Sequence, residues 1–163
     1  MARIETGQQL LPSLVDRLID NDPGRPDPVS KSRGQTLREL RESVRRNLED
    51  LLNTRQRCLP LPPGLDNLAL SLVNYGIPDF TGIDLGSSAR REEFRAAVEA
   101  AIHNFEPRFV TVKVTLREDK DQSDRMIHFR IDAFMYADPA PEPVAFDSAL
   151  DAASRVVAVT SEA

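Results

Sequence analysis

The chain has no tryptophan, one cysteine, two histidines and seven glycines, and each shortage closes a route. A lone cysteine, Cys58, cannot build an internal disulfide framework and suits a reducing compartment. His103 and His128 lie on separate segments and Cys58 stands apart from both, so no local metal-ligand spacing exists, and neither metal nor cofactor is expected. The glycines never form Gly-x-Gly-x-x-Gly and none precedes Lys-Ser/Thr, which excludes the common phosphate-cradling loops. There is no Gly-x-Ser-x-Gly elbow for a nucleophilic serine. No apolar run approaches the ~18–20 residues of a membrane span. The opening Met1–Gly7 lacks a signal peptide's apolar stretch, so a cytoplasmic protein is expected. A formal net charge of −5 argues against obligate nucleic-acid binding, which draws its affinity from neutralised phosphates.

What is present is a globular composition. Of 163 residues, 40% are apolar and 29% charged, enough to build a core without disulfides or metal. Leu10, Leu11, Leu14, Val15, Leu18 and Ile19 recur at three and four, the stripe of a short helix that needs a partner surface. Residues 21–35 hold three prolines and two glycines and read as a linker, so residues 1–35 are expected to form an N-terminal arm and 36–163 the main domain. Thr36 with Glu39 offers a capping box, after which Leu37, Leu40, Val44, Leu48, Leu51 and Leu52 form an amphipathic helix. Leu65, Leu68, Leu72 and Tyr75 fit another helical stripe, terminated at Gly76. Ser87 or Ser88 can cap a third helix that buries Phe94, Val98, Ala101, Ile102 and Phe105 and stops at Pro107.

From Val110 the period changes to two. Val110, Val112, Val114 and Leu116 alternate with polar residues, and after a polar loop so do Ile127, Phe129, Ile131, Ala133 and Met135. The two segments predict an antiparallel hairpin, and 144–150 and 155–160 add two shorter strands. The fold class expected is α+β, with helices on one face of a small antiparallel sheet and a helical arm in front.

Glu106, Asp79, Asp84 and Asp132 are the carboxylates a glycosidase dyad would draw on, but 26 acidic residues bring carboxylates together by chance, and the aromatic furniture of a sugar cleft is thin. Eighteen of the 21 basic residues are arginine, a bias that suits protein interfaces and equally a solvated helix face of Arg–Glu pairs. The segment Phe105-Glu106-Pro107-Arg108-Phe109 joins a helix end to a strand start. It has two accounts: a stop signal with a local ion pair, or a rigid elbow presenting opposite charges to partner chains.

Three motifs carry a resemblance: Leu52-Asn-Thr-Arg55, Ser71-Leu-Val-Asn-Tyr-Gly-Ile-Pro-Asp79, and Ile102-His-Asn-Phe-Glu-Pro-Arg108 before an alternating strand. In this order and spacing they resemble the phage-tail baseplate wedge family once labelled lysozyme-like, in its type VI secretion form, TssE. The resemblance covers roughly residues 8–160, and Asp138–Leu150 resembles the family's closing strands; Ser154-Arg155 stands where relatives are expected to carry Ser-Gly. It implies a structural, non-enzymatic component of a contractile apparatus, cytoplasmic in a baseplate docked at the inner membrane. The implied partners are the wedge proteins TssF and TssG and the sheath subunits TssB and TssC, the sheath being templated by strand exchange at a sheet edge. It assigns Glu106, Pro107 and Arg108 to holding the wedge and attaching the sheath. Leu11, Leu14, Val15 and Leu18 are the arm residues expected to dock on a wedge partner. A peptidoglycan hydrolase and a tail component of a phage-derived particle are the alternative readings.

Overall fold

The computed structural model describes residues 32–57, 64–80, 87–117, 126–137, 140–151, 154 and 156–161, together with Val15 and Leu18. In chain order these form helix α1 (Arg33–Asn53), two 3₁₀ turns (Asp66–Leu70 and Leu72–Asn74), helix α2 (Ser88–Phe105), and strands β1 (Phe109–Leu116), β2 (Met126–Met135), β3 (Glu142–Asp151) and β4 (Val157–Ser161). The strands form one antiparallel sheet in the order β1-β2-β3-β4, the simplest meander, and both helices pack on its inner face. The α+β expectation holds.

The start of α1 differs from expectation. Ser32 is the cap, accepting from the Gln35 backbone while the Gln35 side chain accepts from the Ser32 N–H at 2.8 Å. The box is therefore Ser32-x-x-Gln35, one turn upstream of Thr36-x-x-Glu39, and Thr36 lies inside the first turn with its hydroxyl donating to the Ser32 carbonyl. Both tetrapeptides satisfy the capping pattern. The earlier one prevails because Arg33-Gly-Gln has no proline to stop the helix.

The expected helix over Leu65–Tyr75 is replaced by the two 3₁₀ turns, interrupted at Ser71, whose hydroxyl caps the second by accepting from the Val73 N–H. Its stripe does not face the core as a unit: Leu65 is exposed and Leu72 is 84% exposed, while Tyr75 packs against the core. By contrast α1 buries Leu40, Val44, Leu48, Leu51 and Leu52, and α2 buries Phe94, Val98, Ala101 and Ile102, as their periods require.

On the sheet, Ile127, Phe129, Ile131, Ala133 and Met135 of β2 are all buried, facing Val144, Phe146 and Leu150 of β3 and Val157 and Val159 of β4. Strand β1 keeps its alternation only from Val112 onward. A β-bulge between Phe109 and Thr111 turns Val110 outward and gives the inward place to Phe109. The core closes through edge-to-face rings, Phe80 to Phe94 at 5.1 Å and Phe94 to Phe129 at 5.7 Å between centroids. The last hairpin forms with Ser154 in its turn, its hydroxyl 2.7 Å from an Asp151 carboxylate oxygen.

Candidate functional site: the elbow and the motif cluster

At the end of α2 the Glu106 N–H still donates to the Ile102 carbonyl, and the Phe109 N–H donates back to the Glu106 carbonyl at 3.2 Å. That closes a tight turn over Pro107, a residue suited to the second position because its φ is already fixed and it has no N–H to satisfy. The turn places the Glu106 and Arg108 side chains together. Glu106 is 5% exposed, and Arg108 grips its carboxylate with both sides of the guanidinium, Nε to Oε1 at 2.6 Å and Nη2 to Oε2 at 2.5 Å. The Arg108 N–H also approaches Oε1, at 3.3 Å. Such a fork-to-fork pair is the strongest geometry an arginine and a carboxylate can adopt.

The pair reaches further than a local staple. Arg108 Nη1 donates to the buried Ser43 hydroxyl on α1 at 3.2 Å, and the Arg108 carbonyl accepts from the Tyr136 N–H just past β2 at 2.8 Å. One residue thus ties both helices to two strands. Sequence reading brought out Glu106 and Arg108 but not Ser43, 65 residues away in the chain. Its signal was a serine among apolar positions on the buried stripe of α1.

The other two motifs meet beside this elbow. Thr54 accepts from the Ile77 N–H and Gln56 donates its N–H to the Ile77 carbonyl, forming a parallel bridge between Arg55 and Ile77. Gly76 makes the approach possible: its φ is +109°, and a Cβ there would stand 2.4 Å from the Thr54 carbonyl oxygen. The Gln56 side chain donates to the carbonyls of Asn74 and Gly76, and Arg55 Nη1 donates to the Leu52 carbonyl. Tyr75 then lies edge-on to Phe105, with centroids 5.3 Å apart. Burial raises its phenol above the ordinary value, with the negative charges of Asp50 and Glu106 adding to the effect. All three motifs therefore gather where α1 ends and α2 turns into β1.

Among the other candidates, Val15 and Leu18 are helical, at 65% and 83% exposure, whereas Leu11 and Leu14 lie outside the described residues. Asp132 is paired with Arg130 at 2.8 Å, and Asp84 and Cys58 lie outside the described residues. No group of histidine, cysteine or carboxylate side chains able to hold a metal occurs among the described residues, and no helix among them is long and apolar enough to cross a membrane.

The family model of the baseplate wedge protein gp25 matches residues 38–140. That span takes in all but the first turn of α1, the motif cluster, the elbow and the first hairpin. No curated protein and no solved structure matches the chain. The match covers well over half of the sequence, and the chain belongs to the gp25 baseplate wedge family, whose role in a baseplate is structural.

Proposed function

We propose that this member of the gp25 family is the wedge component of a type VI secretion baseplate, the TssE role, and that it works by binding rather than by catalysis. The observation that carries the reading is the family match across the elbow and first hairpin, where the Glu106–Arg108 pair fixes helices and sheet in one orientation. In this reading Glu106, Pro107 and Arg108 hold the geometry of the wedge-facing surface. Glu106 acts from inside, as a support, and the exposed edge of Arg108 is what a partner meets. The arm docks on the wedge proteins TssF and TssG through Leu11, Leu14, Val15 and Leu18. The exposure of Val15 and Leu18 supports this, because exposed apolar side chains on a helix call for a partner surface. The sheet edge receives strands of the sheath subunits TssB and TssC, main-chain donors and acceptors pairing as in any strand addition. The complex sits in the cytoplasm against the inner membrane.

Affinity purification of the tagged chain from cells that assemble the apparatus tests the reading. Wedge and sheath subunits should accompany it. Val15→Asp combined with Leu18→Asp should abolish recovery of the wedge subunits while leaving the fold intact, since both side chains are exposed. Unchanged recovery would remove the arm from the interface. Recovery of the folded chain alone, wild type included, would overturn the assembly reading.

A further inference from the structure

A four-stranded open sheet has two edges, and the backbone of this one treats them differently. The Asp151 N–H donates to the Val156 carbonyl, which sets the parity of the last hairpin: Val157 and Val159 point their backbone groups away from β3. Those groups are occupied. The Asn53 side-chain amide takes both from Val157, Nδ2 to the carbonyl at 2.9 Å and Oδ1 from the N–H at 2.8 Å, in the manner of a pairing strand. Arg45 Nη1 takes the Val159 carbonyl at 3.0 Å, and is itself held by Glu42 and Glu49. Helix α1 packs along β4 and supplies three hydrogen bonds to its outward backbone groups, all of which a strand adding there would have to replace.

Strand β1 is engaged less at its backbone, although α2 packs along it as α1 does along β4. The Arg117 N–H donates to the His128 carbonyl, so Val112, Val114 and Leu116 turn their backbone groups outward. Among the described residues one hydrogen bond is made on this edge, from the Val114 N–H to Glu99 Oε2 at 2.9 Å. Arg95 steadies the same oxygen from one turn earlier on α2, at 2.7 Å. The edge is eight residues long against five for β4. It also carries two devices that discourage indiscriminate pairing, the bulge at Val110 and an exposed lysine, Lys113, at its middle. Both belong on an edge that is otherwise unpaired among the described residues. Lys113 further selects the occupant, favouring a strand with a carboxylate at the facing position.

We infer that β1, and not β4, is the edge that accepts an extended strand of the sheath subunit, and that the Glu99 carboxylate is the latch an incoming strand displaces from Val114. The inference rests on the strand-exchange reading and sharpens it. Binding at β1 displaces one backbone hydrogen bond, with Arg95 retaining Glu99 through the ion pair, whereas binding at β4 would displace three. Until that exchange, Glu99 occupies the N–H that would otherwise template self-association.

A photo-crosslinking amino acid placed at Thr115 or at Thr160 in the full chain, in cells assembling the apparatus, separates the outcomes. Both side chains are exposed, one on each edge strand. Crosslinks to sheath subunits from position 115 alone are expected. Crosslinks from position 160, with or without 115, would overturn the assignment of the edge. Crosslinks from neither would overturn the strand-exchange reading beneath it. Glu99→Ala should raise the yield at 115 on the order of tenfold, the factor that one lost charge-assisted hydrogen bond corresponds to. An unchanged yield, with the variant folded by circular dichroism, would remove the latch.

Discussion

The Glu106–Arg108 pair makes an asymmetric prediction about stability. In wild type the buried carboxylate accepts from Nε, Nη2 and, weakly, from the Arg108 N–H. Arg108→Met removes the first two and leaves a 5% exposed carboxylate with one 3.3 Å backbone bond. Breaking a buried pair from one side costs about 3–5 kcal/mol because the orphaned charge stays desolvated. Glu106→Met does something milder. Arg108 is 21% exposed at its side chain and retains Ser43, so its guanidinium finds water along its open edge, and the loss is about 1.5–3 kcal/mol of charge-assisted hydrogen bonding. The double variant leaves no unpaired charge and should be less destabilised than Arg108→Met alone, by about 1–3 kcal/mol. Urea unfolding of the purified chain, monitored by circular dichroism with the slope held common, measures all four states. A cost below about 1 kcal/mol for Arg108→Met, the value of an exposed pair, would refute the argument, as would additive losses in the double variant. The consequence for assembly assays is direct: a loss of sheath assembly in Arg108→Ala counts as an interface effect only after the folded fraction has been measured.

Two further outcomes follow from local geometry. Gly76→Ala drives a Cβ to 2.4 Å from the Thr54 carbonyl oxygen at a φ of +109°, so it should cost at least about 2 kcal/mol, whereas Gly34→Ala meets open space in the first turn of α1 and should stabilise by about 0.5–1 kcal/mol. Urea midpoints distinguish them, and equal midpoints would deny that the Arg55–Ile77 bridge constrains the fold. Tyr75, raised above its ordinary 10.0 by burial and then by Asp50 and Glu106, should hold its neutral phenol more firmly when folded than when unfolded. Its contribution is complete below the ordinary value and falls as pH rises through the folded one, so Tyr75→Phe should flatten the alkaline fall in stability; an unchanged slope would remove Tyr75 as its source.

Long, strongly periodic elements were legible in the sequence. The buried face of β2 is Ile127 to Met135 in strict alternation, and the leucine stripe of α1 is the one its spacing required. What escaped was decided by contacts distant in sequence or by a single residue. Val110 belongs to the alternating run, but one extra residue in β1 inverts it, and a bulge has no signature of its own in a valine-rich strand. Ser32 and Thr36 are equivalent as caps until the chain chooses where to leave the linker. At the elbow, Glu106 and Arg108 were evident from their proximity to Pro107. Their burial was not, because it comes from the helices and Ser43 closing around them. Asn53, Arg45 and Glu99 read as ordinary polar helix positions, and only the packing of each helix along a strand edge makes them backbone partners.

Apolar periodicity says that a surface wants to be covered, not in which chain the cover lies. Leu40, Val44 and Leu48 repeat at the helical spacing and are buried; Val15 and Leu18 repeat at the same spacing and are exposed. The segment from Leu65 to Val73 behaves like the arm, with Leu65, Leu70, Leu72 and Val73 all exposed on a backbone anchored beside it by the Arg55–Ile77 bridge. A solitary globular protein would lose little by replacing these residues with polar ones, and a chain with net charge −5 shows no shortage of polar residues. Of the large apolar side chains exposed among the described residues, these six lie on the arm and the anchored loop, and Val110, Phe134, Tyr136 and Val156 lie on or beside the sheet. In the assembly reading proposed above, such exposed apolar surface is where other chains would complete the molecule, while the core completes itself.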